Sequence, residues 1–161
     1  ANSQFYSRND GKYLYFGFIL GEKKLDKLYV KSKNGESDIW KDDCVEIFVR
    51  MGDTGEGKGG CMQYDVNADG QLTAFLNSDD GYTVNVSKNS TAKAAAGRGI
   101  NRWTVEVAIP LKELRLKAGD STPANFYRCR TVNETQTFST WSPAFEERHY
   151  VPDYFGTLVI E

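Results

Sequence analysis

His149 is the only histidine of the chain. No Ser/His/Asp arrangement or Cys/His signature surrounds it, so nucleophilic catalysis has no support. A lone histidine near a terminal strand can brace the structure, touch a ligand, or hold haem with Met62 or Met51 as second axial ligand. The carboxylates Asp42, Asp43, Glu46 and Asp65 could gather on one sheet face. There they could accept hydrogen bonds from ligand hydroxyls. A pair about 5–10 Å apart across a cleft could instead hydrolyse glycosides. Asp65-Val66-Asn67-Ala68-Asp69-Gly70 opens like a calcium loop, but the twelfth position is Leu76 and not glutamate. Trp40 ends a polar stretch and is a candidate for exposure. Trp103 lies on an alternating strand and is a core candidate, and Trp141 fits either place. An exposed indole stacks on the C–H face of a sugar ring while nearby carboxylates and amides bind its hydroxyls.

Short alternating runs must position these groups, and alternation is a strand signal. The pattern predicts strands at residues 4–6, 13–20, 44–51, 62–67, 71–76, 82–86, 93–98, 103–109, 126–131, 137–141 and 156–160. A short strand at Leu28–Val30 and one helical turn at Leu111–Leu116 are also expected. Val45, Ile47 and Val49 share one face of their strand, with Cys44, Glu46 and Phe48 on the other. Gly52–Gly60 holds five glycines and reads as a mobile loop, and Asp79-Asp80-Gly81 reads as a turn. About ten short strands with turns between them imply an all-β, antiparallel two-sheet sandwich or jelly roll.

With 161 residues, one domain spanning 1–161 is expected. Twenty basic against 22 acidic residues leave a net charge of −2, which argues against nucleic acid and anionic membrane as partners. No apolar run approaches the ~20 residues of a membrane span. Cys44, Cys61 and Cys129 make an odd count, so a monomer keeps at least one free thiol. The chain starts at Ala1 in near-strand sequence, which suggests a module excised from a larger protein.

Five motifs resemble carbohydrate-binding module family nine and its DOMON-type relatives. D-I-W-K-D-D-C-V-E-I-F-V at Asp38–Val49 is similar to the family's W-x-x-D-x-V-E-I-F. Q-Y-D-V-N-A-D-G at Gln63–Gly70 resembles its V-N hairpin, and R-W-T-V-E-V-A-I-P-L at Arg102–Leu111 its W-x-V-E-x-A-I-P strand. Asn125–Arg130 resembles the N-F-x-R strand. Thr140–Pro143 followed by Val151–Leu158 is similar to the W-S-P and F-G-x-L close. The resemblance implies a β-sandwich that binds a poly- or oligosaccharide and carries structural calcium. It also implies other domains in the parent chain, typically a secreted bacterial glycoside hydrolase, and an extracellular, cell-surface or periplasmic location. Trp40 and Glu46 match the first Trp and the Glu of the family's sugar slot. His149 or Tyr150 stands where the second Trp would be, and Asp65 stands at an Arg position. The resulting candidate ligand face is Trp40, Glu46, Asp65, Asn67, His149 and Tyr150. The alternatives are a haem-binding electron-transfer domain and a small glycoside-active enzyme.

Overall fold

Alternating sequence becomes two antiparallel sheets in the computed structural model, which describes residues 2–53, 59–78, 84–133, 135–143 and 149–161. The first sheet has four strands in the order β1 (Ser3–Asn9), β2 (Tyr13–Gly21), β8 (Arg102–Pro110) and β7 (Lys93–Gly99). The second runs β10 (Thr135–Thr140), β9 (Ser121–Val132), β3 (Cys44–Arg50), β4 (Cys61–Asn67), β5 (Leu72–Asn77) and β6 (Val84–Val86). β11 (Gly156–Val159) pairs with the start of β9. The architecture is the expected all-β sandwich.

Between the sheets lies the main core. β8 supplies Trp103, Val105, Val107 and Ile109, all buried, while Arg102 and Glu106 on its other face are exposed. β2 adds Leu14, Phe16, Phe18 and Leu20, and β3 adds Val45, Ile47 and Val49. β3 differs from β8 in one respect: its other face, Cys44, Glu46 and Phe48, is buried too. A second apolar cluster of Phe48, Cys61, Tyr127 and Tyr150 covers part of that outer face, with Phe155 packed against it.

Residues 28–30 are not a strand. Buried carboxylates hold this segment instead: Tyr29 N donates to Asp43 Oδ2 at 2.8 Å, and Ser32 N donates to Asp42 Oδ2 at 2.9 Å. Asp42 and Asp43 therefore organise the chain and do not join Glu46 at a surface. β9 begins at Ser121, five residues before the expected start, because Pro123 masks the strand pattern. The helical turn is Leu111–Leu114 and ends at Arg115 in the left-handed region, φ 56°. Most of the Gly52–Gly60 loop, the 79–81 turn and the start of the 82–86 run lie outside the described residues.

Candidate functional site

The outer face of the seven-stranded sheet is built from register. Glu46 on β3 stands opposite Tyr127 on β9 and opposite Asp65 on β4. The neighbouring row runs Asn125, Phe48, Gln63, Phe75 and Val86 across five strands. A groove of about 580 Å³ lies over these rows. Trp40, Asp38, Phe138, His149 and Tyr150 line it, while Glu46, Gln63 and Asn77 supply polar groups.

Trp40 comes from the 3-10 turn Ser37–Lys41, which buries Ile39 as its anchor. Thr73 Oγ1 donates to Glu36 O at 2.9 Å, and Thr131 Oγ1 donates to Lys41 O at 3.0 Å, so both ends of the turn are fixed to the sheet. Its indole is 43% exposed, as expected from its polar context. Lys41 Nζ lies 5.4 Å from the ring centre.

His149 meets Glu46: Nδ1 is 2.6 Å from Glu46 Oε2. The imidazole stacks on Tyr127 at 4.5 Å and 12°, and meets Phe138 edge-to-face at 4.1 Å and 76°. Phe138 is itself 48% exposed, so it forms a second aromatic wall. Tyr150 lies lower. It is only 8% exposed, with its ring stacked 6.0 Å from Phe48. Tyr150, a candidate for the ligand face, is therefore not an exposed ring; the half-exposed rings lining the groove are Trp40 and Phe138.

Asp65 is wholly buried beneath the groove. Gln63 Nε2 donates to both its oxygens, at 2.9 and 3.1 Å, and Asn77 Nδ2 donates to Gln63 Oε1 at 3.1 Å. Burial and the facing Glu46 carboxylate push the Asp65 pKa well above the usual carboxylate range, against the opposing pull of Gln63. Asn77 Oδ1 ends this chain as a buried acceptor with no partner among the described residues. An orphaned acceptor at a groove is costly until a donor meets it.

Asn67 is placed elsewhere. Its Nδ2 donates to Ser32 O at 3.1 Å and to Asp42 Oδ2 at 2.9 Å, and its Oδ1 accepts from the backbone of Asp69 and Gln71. It ties a hairpin to the 28–32 segment and has no donor or acceptor spare for a ligand. The Asp65–Gly70 hairpin does not fit calcium: Asp65 is bound to Gln63, Asn67 to backbone, and Asp69 to Arg98 at 2.6 Å. Haem does not fit His149 and a methionine, because Met62 and Met51 face the core between the sheets while His149 lies on the opposite face. Phe138, Gln63 and Asn77 were missed from sequence. Gln63 and Asn77 could have been found by carrying the Glu46 face across the strand register.

A search of curated proteins returns no match. Two solved carbohydrate binding modules of family 9 from Caldicellulosiruptor kristjanssonii share the fold. The one in complex with glucose is 15% identical, with a TM-score of 0.65 over 99% of this chain and 76% of that one. The one in complex with cellotriose is 16% identical, with a TM-score of 0.67 over 97% and 73%. A family profile described as Carbohydrate family 9 binding domain-like matches residues 2–161. From its first strand to its last residue, this chain belongs to the carbohydrate family 9 binding domain-like family.

Proposed function

We propose that this carbohydrate-binding module holds one or a few pyranose units of a poly- or oligosaccharide in the groove over Glu46, without catalysing a reaction. The observation that carries the reading is the pairing of two half-exposed rings, Trp40 and Phe138, with a polar floor of Glu46, Gln63 and Asn77. The rings cover the apolar faces of the sugar. Glu46 accepts hydroxyl donors beside the site taken by His149, since a carboxylate has about four acceptor positions. Solved family members with glucose and cellotriose support a glucose-type ligand as the first to test.

Catalysis by Glu46 and Asp65 is not favoured. Both carboxyls must face the glycosidic bond in a glycosidase, whereas Asp65 has no exposed surface and lies under Gln63. Family membership supports a place outside the cytoplasm, as an accessory to a larger carbohydrate-active protein. Calcium, if this module uses it, binds away from the Asp65–Gly70 hairpin.

A glycan array followed by calorimetric titration tests the reading. Binding to at least one glucan oligosaccharide, weakened by Trp40→Ala and by Phe138→Ala and unchanged by Tyr6→Ala on the other sheet, supports it. Binding that only Tyr6→Ala weakens would move the site to the four-stranded sheet, and no binding to any glycan would refute it.

A further inference from the structure

We propose that Cys44 and Cys129 form a disulfide that staples β3 to β9 beneath the groove, while Cys61 stays a thiol. The two residues are direct partners across the antiparallel ladder. Directly opposed residues in such ladders have Cα atoms about 4.5–5.5 Å apart, within the ~4.4–6.8 Å that a disulfide spans. Both side chains point to the outer face, their thiols hydrogen-bond each other, and their sulfurs lie within 4.8 Å. Cys61 stands at the opposite end of β4's pairing with β3, across from Arg50.

Burial governs when the bond can form. The contact with Cys129 lowers the Cys44 pKa, but burial and the nearby carboxylates Glu46, Asp65 and Asp42 outweigh it and push the thiol up to about 12. Thiolate is the reacting species, so the folded, reduced protein exchanges slowly. The bond therefore forms during folding. With a small-molecule disulfide such as oxidised glutathione, the reaction passes through a mixed disulfide. Overall, the Cys44 Sγ–Cys129 Sγ bond forms and the glutathione S–S bond breaks. The protein gives up two electrons and two protons, and two glutathione thiols are released. The staple sits two ladder pairs from Glu46 and Tyr127, so it fixes the strands that carry the groove floor.

The test is to refold the chain with and without a glutathione redox buffer, count thiols in denaturant and map the peptides. The expected product is lighter by two hydrogens and keeps one titratable thiol. It yields a linked Cys44–Cys129 peptide and melts about 5–15 °C above the reduced form, because the closed loop is long. Cys61→Ala should leave the linkage intact, and Cys129→Ala should leave two free thiols. Three titratable thiols after oxidative refolding, or a linkage through Cys61, would overturn the proposal. Thiols that a chelator unmasks without any two-hydrogen mass change would also overturn it, in favour of a metal bound by Cys44, Cys129 and Glu46.

Discussion

The proposed site assigns its stacking to Phe138 and Trp40, and each should be separable from folding because each residue is about half exposed. Stacking on one desolvated ring is worth about 1–3 kcal/mol, by analogy with base stacking. Phe138→Ala should therefore weaken sugar binding by roughly five- to a hundredfold with little change in melting temperature. An unchanged dissociation constant would take Phe138 out of the site. Asp65 makes a different prediction at the same scale. Its pKa is raised in the folded state by burial and by Glu46. Its contribution to stability is thus full below the unfolded carboxylate pKa, near 3.8, and is lost as pH rises through the folded value. Thermal melts of Asp65→Asn and the parent chain should show the variant gaining relative to the parent between pH 4 and pH 8. A constant difference across that range would contradict the raised pKa of Asp65. The histidine–carboxylate pair is not visible in the sequence. Glu46 and His149 are 103 residues apart, and only the folded sheet brings them to 2.6 Å.

The elements that position these residues are held by polar ties as much as by apolar packing. Asn67 satisfies four groups from three segments and is wholly buried. Asn67→Ala should cost about 2–4 kcal/mol in chemical denaturation, since it strips partners from a buried carboxylate and a hairpin. Sugar affinity of the folded fraction should stay the same; a lost affinity with full stability would return Asn67 to the ligand face. The residue looked like a ligand oxygen in sequence because the hairpin motif is visible locally while Ser32 and Asp42 are not. Glu22 ties the end of β2 to β9: Arg130 Nε lies 2.5 Å from its carboxylate, and Arg128 Nη2 lies 3.7 Å away. The hydrogen bond from Arg130 leads in lowering the Glu22 pKa to about 2 against the cost of burial. That stability is present above pH 4.5 and is lost as pH falls towards 2, so Glu22→Gln should flatten the acid limb of the melting curve. Equal acid sensitivity in both proteins would show that the tie contributes nothing.

At the scale of the molecule, the alternation of β8 and β2 was enough to place the sandwich core, because one face of each is buried and the other meets solvent. Trp103→Ala should accordingly cost about 3–5 kcal/mol. β3 was legible as a strand but not as a strand buried on both faces. Its polar outer face is covered by the turn at Ser37–Lys41 and by residues 149–155, which arrive from distant parts of the chain. Among the described residues that cover is incomplete and leaves the groove, and Phe138 was missed because Thr137-Phe138-Ser139 shows nothing locally of what it faces. The net charge of −2 adds no strong field, so affinity for a neutral glycan should be almost independent of salt. The most direct test of the account is calorimetric titration of the parent chain and Trp40→Ala with cellotriose and the strongest glycan from the array. The expected result is binding by the parent and a dissociation constant about ten- to a hundredfold higher for the variant, at equal melting temperature. Equal affinity of the two proteins would contradict it.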